Sequence, residues 1–338
     1  MFPGIRQKLP YLKELGITAT WLSPIFKSPM VDFGYDISDY LKIQPEYGTE
    51  QDFDDLAAEC KRLGIKLILD YVPNHTSDKH EWFIKSARRD PIYKDFYIWH
   101  DGHVSPNGTR SPPNNWLSVF RFSAWEWHAG RKQYYLHQFT KEQPDLNYRD
   151  PRVVENMKNV LWYWMARGVD GFRIDTIPNL YEIEADKNGN YPDEPKSGFC
   201  ADPLSHCYLK HIYTADRNET YDMAYQWHEV LETYKKINGG QTRILMTEAY
   251  TSLDNLLRYY GDGKRNGSQI PFNFDLLVNL KNDTPATRFN ELVNTFLRAK
   301  PTQVHANWVV SVYFIVQLFI LIFNYNIYVA LIEPIRTN

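Results

Sequence analysis

The stretch GVDGFRIDTIPN, residues 168–179, places an arginine and an aspartate two positions apart within an apolar run. Residues two apart in a strand project to the same face. If this run is a buried strand, Arg173 and Asp175 point the same way, and the cation favours the ionised form of the carboxylate. An ionised aspartate at the end of a strand can act as a nucleophile. A structural salt bridge is the alternative interpretation of an isolated Arg-x-Asp pair.

Further polar side chains follow two other apolar runs of the chain. The run IKLILDYV contains Asp70 near its end and is followed closely by Asn74 and His75. Glu248 directly follows the run RILMT. If these runs are parallel strands of a barrel, their polar ends converge on one face. Two carboxylates, Asp175 and Glu248, together with a cation and an imidazole could hydrolyse a glycoside. One carboxylate would attack the anomeric carbon, and the other would exchange protons with the leaving oxygen and with water.

Units of strand, helix, glycine and strand must position these side chains. Apolar periodicity, prolines at helix starts and glycines at helix ends predict helices over residues 5–15, 50–63, 151–167, 219–236, 253–260 and 286–297. The predicted strands are TATWLSPIF, IKLILDYV, VDGFRID, RILMTEAY, QIPFNFDLL and VHANWVV. This alternation predicts an α/β fold with a parallel sheet and crossover helices. Strands of one direction that all end in polar residues favour a (β/α)8 TIM-type barrel over a doubly wound sheet.

A long insertion interrupts these units at residues 77–148 and is rich in Trp, Tyr, Pro, Asn and Gly. Because it is too long for a plain loop, we expect a small irregular subdomain there, after the strand that would be the third of the barrel. The predicted organisation is a first barrel part over 1–76, the inserted subdomain over 77–148, a second barrel part over 149–310 and an apolar tail over 311–338.

The composition limits the function classes. With 43% hydrophobic and 23% charged residues among 338, the chain is globular, and nothing in its net charge of −3 suggests a nucleic-acid partner or an anionic membrane surface. The aromatic content of 15% provides core material and also suits sugar binding, because aromatic faces stack on pyranose rings. No dinucleotide-binding, P-loop, CxxC or HExxH pattern occurs, so we predict neither a cofactor nor a metal site.

Cysteines and glycosylation sequons indicate the compartment. Cys60 lies in a helical pattern and is predicted to be a buried thiol, whereas Cys200 and Cys207 lie in a loop-rich stretch and could form a disulfide. The N-terminus has no apolar core of the kind that a signal peptide needs. Sequons that fit a secreted lineage occur at Asn74, Asn107, Asn218, Asn266 and Asn282.

Five motifs together resemble those of glycoside hydrolase family 13. DYVPNHTS at 70–77, GFRIDTIPN at 171–179 and TEAY at 247–250 resemble three of its conserved regions. QPDLN at 143–147 resembles the signature of the oligo-1,6-glucosidase and α-glucosidase subgroup, and DFGYDISDY at 32–40 resembles the segment that closes the pocket. Over roughly residues 5–310 the chain resembles an α-glucosidase of the insect maltase type.

The resemblance implies roles for individual residues. Asp175 would be the nucleophile, Glu248 the acid/base and Arg173 the cation that keeps Asp175 ionised. Thr176, directly after the nucleophile, is similar to members that prefer α-1,4 linkages. The implied substrate-binding residues are Asp32, Tyr35, His75, Phe139, Gln143 and Thr176. Ordinary packing is an equally good account of Phe139 and Gln143.

The function that the resemblance implies is that of a secreted, exo-acting, retaining α-glucosidase. Its substrates would be maltose, sucrose or short maltooligosaccharides, cleaved by double displacement. The alternative is a catalytically inactive relative, either a binding or receptor protein or a subunit similar to amino-acid transporter heavy chains. The presence of Asp175, Glu248 and Arg173 favours an enzyme, and QPDLN disfavours an endo-acting amylase.

The chain also departs from the family pattern. It starts at the helix that follows the family's first strand, and HANWVV is followed by SVYF where the family has Gly-Asn-His-Asp. We therefore expect an incomplete barrel without its first and eighth strands, and impaired turnover. Residues 308–332 contain no charged residue and are long enough to span a bilayer. This candidate transmembrane segment would permit membrane association, although a retained intron or a faulty gene model would also account for the tail.

Overall fold

The computed structural model describes residues 1–309 with their side chains, and the backbone of residues 319–322 and 327–332. The helices are α1 (Phe2–Glu14), α2 (Glu50–Leu63), α3 (Glu81–Ala87), α4 (Pro151–Ala166), α5 (Asn218–Asn238), α6 (Leu253–Arg258), α7 (Asp275–Asn279) and α8 (Ala286–Ala299). The strands are β1 (Ala19–Leu22), β2 (Phe26–Lys27), β3 (Asp39–Ile43), β4 (Lys66–Tyr71), β5 (Trp99–His100), β6 (His103–Val104), β7 (Arg110–Ser111), β8 (Trp125–His128), β9 (Gln133–Leu136), β10 (Gly171–Ile174), β11 (Ile244–Thr247), β12 (Ile270–Pro271), β13 (Asn307–Val309), β14 (Phe319–Ile322) and β15 (Ile327–Ile332).

The predicted helices are all present, and their ends follow from local chemistry. Helix α2 begins after Thr49, whose side chain accepts a hydrogen bond from the Asp52 backbone while the Asp52 carboxylate accepts one from the Thr49 backbone. It ends at Gly64, which has a φ of 69°. Glycine adopts this left-handed conformation at little energetic cost because it has no Cβ. Helix α4 begins at Pro151, as predicted, with Asp150 as its N-cap.

One sheet of eight strands forms the centre of the molecule, in the order β12-β11-β10-β4-β1-β15-β14-β13. Each neighbouring pair from β12 through β1 is parallel, as the crossover helices require. The Asn273 carbonyl, just after β12, accepts a hydrogen bond of 3.2 Å from the Val309 amide of β13, so the sheet curls back on itself. The predicted α/β class and the incomplete TIM-type barrel are confirmed.

The tail adds a feature that the sequence did not predict. Strand β15 pairs in parallel with β1, and β14 runs antiparallel to both β13 and β15, so these two strands cover the edges that we expected to be open. Unpaired strand edges favour such additions, and Ile, Phe, Val and Tyr are strand-forming residues. The described parts of the candidate transmembrane segment 308–332 are therefore strands, and the rest of it lies outside the described residues. Among the described helices, none combines the length and the apolar character that crossing a bilayer requires.

Alternation along β10 explains how an arginine comes to lie inside the barrel. Phe172 and Ile174 face outward and belong to the layer that packs against the helices, including Trp164 of α4. Arg173 faces inward, next to Trp21, whose ring centre lies 4.9 Å from the guanidinium carbon. The apolar part of the barrel interior contains Ala19, Trp21, Ile68, Met246, Ile270, Phe272, Phe274 and Val309.

The inserted stretch 77–148 contains helix α3, the three-stranded sheet β5-β9-β8 and the two-stranded sheet β6-β7. Its own small core includes Ile98, Trp116, Ala124, Trp125, Tyr134 and Leu136. This content of short strands and loops agrees with the expected irregular character. The boundaries of the subdomain stay a prediction.

The cysteine predictions are confirmed, and one sequon is reinterpreted. Cys200 and Cys207 form a disulfide, and Cys60 is a buried free thiol. Asn74 is only 1% exposed and its amide donates to Asp145, so this sequon does not present a glycan acceptor on the folded chain. The other four sequon asparagines are exposed.

Candidate active site

The Arg173 guanidinium joins three carboxylates at the carboxyl end of the barrel strands. Its Nη1 donates to Asp175 Oδ1 at 2.5 Å and to Asp70 Oδ1 at 2.9 Å. Its Nη2 lies 2.7 Å from Glu248 Oε1. Asp70, Arg173 and Asp175 are all buried, while the Glu248 side chain is 16% exposed. The one guanidinium therefore holds the two predicted catalytic carboxylates at a fixed spacing.

Strand register brings these residues together although they are far apart in the sequence. Arg173 of β10 pairs with Asp70 of β4, and Glu248 directly follows Thr247, the last residue of β11. Asp175 directly follows β10, on the same face as Arg173. Thr176 has a φ of 42°, which is unusual for a β-branched residue, and its amide donates to Glu248 Oε2 at 3.1 Å. The strained turn thus orients the acid/base candidate.

Burial and mutual repulsion shape the charge of this cluster. Burial raises the pKa of Asp175 well above its usual value, Arg173 lowers it, and the Glu248 and Asp70 carboxylates raise it. Burial also raises the pKa of Asp70 to about 6, although its contacts with Arg173 oppose the change. Because one cation faces three acids, the site becomes electronegative as they ionise. Such a site stabilises positive charge that develops on a bound substrate.

A loop between β2 and β3 carries two more of the predicted residues, and a buried carboxylate shapes it. Asp36 is fully buried and accepts hydrogen bonds from Ser28 Oγ at 2.8 Å and from the amides of Val31 and Asp32 at 3.0 Å each. This loop points the Tyr35 hydroxyl at Asp70 Oδ2, 3.3 Å away. Asp36 lies within DFGYDISDY, but its supporting role could not be predicted because two of its three partners are backbone amides.

Gln143 connects the two sides of the pocket. Its carbonyl oxygen accepts from the Thr140 amide at 3.1 Å, so its nitrogen faces Asp32 Oδ2 at 2.9 Å and His75 Nε2 at 3.0 Å. Burial lowers the pKa of His75 to about 3, and the neutral ring accepts from Gln143 through Nε2. The Phe139 ring lies 5.1 Å from the His75 ring. These side chains form one continuous wall.

A second polar cluster lies behind this wall and was missed as a group. Asp145 Oδ2 accepts from Gln138 Nε2 at 2.8 Å, and Asp145 Oδ1 accepts from Asn74 Nδ2 at 3.2 Å. The same Gln138 nitrogen donates to Glu182 Oε1 at 2.9 Å. Asp145 is 1% exposed and Glu182 5%. Asp145 belongs to the QPDLN motif, which was the available signal.

Asp145→Asn should flatten the dependence of stability on pH. Burial raises the pKa of Asp145 from 3.8 to about 7. Between these values the folded chain holds more protons than the unfolded chain, so the free energy of unfolding falls as pH rises from about 4 to about 7. One such group contributes a slope of up to about 1.4 kcal/mol per pH unit. Urea unfolding of both proteins across this range measures the difference.

Asp283→Asn, at an exposed loop position, is the matched control and should leave the slope unchanged. Asp70 contributes to the slope of every variant with the same sign, and Asp145 raises the pKa of Glu182, so the difference between Asp145→Asn and the parent reports on the Asp145–Glu182 pair. Equal slopes in the parent and in Asp145→Asn would contradict the prediction.

The structure brings together all the predicted site residues, while their roles stay predictions. Asp175, Glu248, Arg173 and Thr176 lie in the carboxylate cluster. The pocket wall contains Asp32, Tyr35, His75, Phe139 and Gln143. The sequence identified Asp70 only as a strand-end residue. Trp21 donates to Asp70 Oδ2 at 3.2 Å and was missed, because nothing in the sequence around Trp21 indicates a polar partner.

Comparison with known proteins agrees with this geometry. Maltase A1 of Drosophila melanogaster is 57% identical over 91% of this chain and 54% of its own length, and a salivary alpha-glucosidase of Aedes aegypti is 54% identical over 91% and 53%. The crystal structure of an alpha-glucosyl transfer enzyme, XgtA, superposes with a TM-score of 0.78 at 34% identity, over 92% of this chain and 56% of that one. The chain spans about half the length of the curated relatives that it matches. Because the family model described as "Alpha amylase, catalytic domain" matches residues 2–314, the chain belongs to the α-amylase catalytic-domain family of glycoside hydrolases.

Proposed function

We propose that the chain carries the active site of an exo-acting retaining α-glucosidase. The observation that carries the proposal is the Arg173 guanidinium, which contacts Asp175 through one nitrogen and Glu248 through another. Retaining glycosidases need two carboxylates about 5 Å apart, closer than inverting enzymes allow. Contact with one guanidinium supports such a short separation.

In the proposed first step, an Asp175 oxygen attacks the anomeric carbon of the terminal glucose. The glycosidic bond breaks, Glu248 gives its proton to the leaving oxygen, and a glucosyl ester forms on Asp175. In the second step, Glu248 takes a proton from water, the water oxygen attacks the anomeric carbon, and the ester bond to Asp175 breaks. Arg173 favours the carboxylate form of Asp175 before the first step and after the second.

The wall formed by Asp32, Gln143 and His75 supports an exo-acting pocket. Asp32 and His75 belong to different loops, and both contact the side-chain nitrogen of Gln143. The three side chains therefore form a continuous hydrogen-bonded chain that closes the pocket at one side. A pocket closed at one side accepts the end of a saccharide rather than its middle. We infer that terminal α-1,4-linked glucose of maltose, sucrose or short maltooligosaccharides is removed.

Two further features belong to the proposal. Relatives named salivary alpha-glucosidases, the Cys200–Cys207 disulfide and four exposed sequons support an extracellular location. Turnover is proposed to be slow, because HANWVV is followed by SVYF and not by the Gly-Asn-His-Asp run that the resemblance implies. No described contact favours the alternative of a purely binding or transporter-type subunit.

The proposal predicts that sucrose, which yields a single glucose and has no free anomeric carbon, releases that glucose as the α-anomer, and that starch is cleaved much more slowly than maltose. Proton NMR of the first product, recorded before mutarotation, measures the anomer directly. A double displacement retains configuration, whereas release of the β-anomer would overturn the retaining mechanism. Starch cleaved faster than maltose would overturn the exo-acting pocket.

A further inference from the structure

A cavity separate from the carboxylate cluster lies between the inserted stretch and the loop after β10. It has a volume of about 450 Å³, within the range of small-molecule sites. Its wall includes Asp95, Trp99, Arg131, Arg149, Glu184 and Tyr191, and none of its lining residues contacts Arg173 or Asp175. Glu182 also lines it and separates it from Gln138 and Asp145.

Arg131 is the unusual group in this cavity. It is only 7% exposed, yet within residues 1–309 it makes no ion pair with a carboxylate. Its Nη1 donates to the Ser86 and Lys94 carbonyls, its Nε donates to Gln133, and the guanidinium lies over the Trp99 ring at 4.2 Å. Nη2 has no hydrogen-bond partner among the same residues. Since Arg131 lines the cavity, this nitrogen can donate to water or to an oxygen of a bound molecule there.

Other unused polar groups face the same space. Arg149 uses only Nη2, which donates to the Glu182 carbonyl and to Glu219. The exposed Glu184 carboxylate accepts no hydrogen bond from the described part of the chain. The Tyr191 hydroxyl has no described partner either, and its ring packs on Trp116 at 5.2 Å, which fixes its orientation. Donors, acceptors and an aromatic surface therefore surround one cavity.

The charges of both signs select the ligand class. Asp95 and Arg149 are already paired with Lys94 and Glu219. The unpaired Glu184 would repel a phosphate or another anion, and the unpaired Arg131 would repel a cation. A neutral molecule with many hydroxyl groups can bind to the acidic and the basic side chains alike, since each hydroxyl donates one hydrogen bond and accepts others. Aromatic walls favour the apolar faces of a sugar ring.

We propose that this cavity is a second saccharide-binding site that takes one or two neutral hexose units. It lies outside the pocket at Asp175 and does not depend on catalysis there. Maltose should fill it through oxygen contacts to Arg131 and Arg149 and through hydroxyl donors to Glu184.

Hydrogen–deuterium exchange of the full chain, with and without maltose, tests the proposal. We expect two separate regions of slower exchange. The first covers residues 32–35 and 173–176, at the active site. The second covers residues 95–99, 131–133, 147–149 and 182–191. Inorganic phosphate should produce no protection of the second region.

Glu184→Ala should raise the maltose concentration for half-protection of the second region about tenfold, while the first region keeps its midpoint. Arg131 is unsuitable for this test because its removal would also break the contacts that hold Ser86 and Lys94. Glu155→Ala, an exposed glutamate of α4, is the matched control and should change neither midpoint.

Each outcome bears on the proposal. Protection of the first region alone, an unchanged midpoint in Glu184→Ala, or protection by phosphate in place of maltose would each overturn the second site. Protection of the second region alone would support it and would count against the proposed glucosidase pocket. The two proposals can therefore fail independently.

Discussion

Replacement of Asp175 by asparagine is expected to lower maltose turnover by about 10⁴-fold or more and to abolish covalent capture of a glucosyl group. An amide has nearly the size of the carboxylate, but it cannot act as the nucleophile. It can still accept from Arg173 Nη1 through its carbonyl oxygen, so the cluster keeps one of its contacts. The loss of activity should therefore exceed any loss of stability.

Covalent labelling measures the nucleophile even if turnover is slow. With 5-fluoro-α-D-glucosyl fluoride, the ring fluorine disfavours the oxocarbenium-like transition state of both steps, while fluoride as leaving group keeps the first step feasible. Intact mass should show a single adduct, and peptide mapping should locate it on Asp175. The Asp175→Asn variant should remain unlabelled.

Glu248→Gln is the matched control for this experiment. It removes the other carboxylate of the pair and also a partner of Arg173. Because fluoride departs without needing a proton, this variant should still be labelled, although it should lose most of its activity on maltose. An adduct on Glu248 or Asp70, or labelling of Asp175→Asn, would contradict the assignment of Asp175 as nucleophile.

The parts of the fold that the sequence predicted well are those determined by neighbouring residues. The bounds of α2 were predicted correctly because Thr49 and Gly64 specify its two ends locally. The inward orientation of Arg173 and Asp175 follows from the period of a strand. In each case the determining interaction spans only a few positions of the chain.

The parts that were missed depend on partners far away in the sequence. Trp21 and Asp70 are 49 positions apart, and only the pairing of β1 with β4 explains their contact. Gln138 contacts Glu182 across 44 positions and was an ordinary polar residue in the sequence. The tail was treated as an apolar run of membrane-spanning length, because hydrophobicity alone does not separate a helix from strands.

Arg173→Met should lower the free energy of unfolding by about 3–5 kcal/mol at about pH 8. Methionine fills most of the volume but leaves Asp70, Asp175 and Glu248 without their shared cation. Burial already raises the pKa of Asp70 and of Asp175, and Arg173 is the group that opposes this rise. Without it the folded chain must either hold extra protons or keep unpaired charges in the interior.

The sign of the pH dependence separates this explanation from a simple loss of packing. When Arg173 is absent, the carboxylate pKa values rise further, so the variant loses stability as pH rises through that range and regains part of it at about pH 5. Arg167→Met is the matched control, because Arg167 also contacts two carboxylates, Glu50 and Asp54, but these are about half exposed. It should lose no more than about 1 kcal/mol, independent of pH.

Denaturant unfolding at about pH 5 and about pH 8 measures the stability of both variants. The same measurement is made on a double variant that combines Arg173→Met with Asp70→Asn. Removing one of the three carboxylates should restore part of the stability at about pH 8, since fewer buried charges then lack a partner. A loss in Arg173→Met that is equal at both pH values, or no larger than that of Arg167→Met, would contradict the explanation. If the pH-dependent loss is found, the same arginine that supports the proposed nucleophile is also what allows three acids to lie together in an apolar barrel.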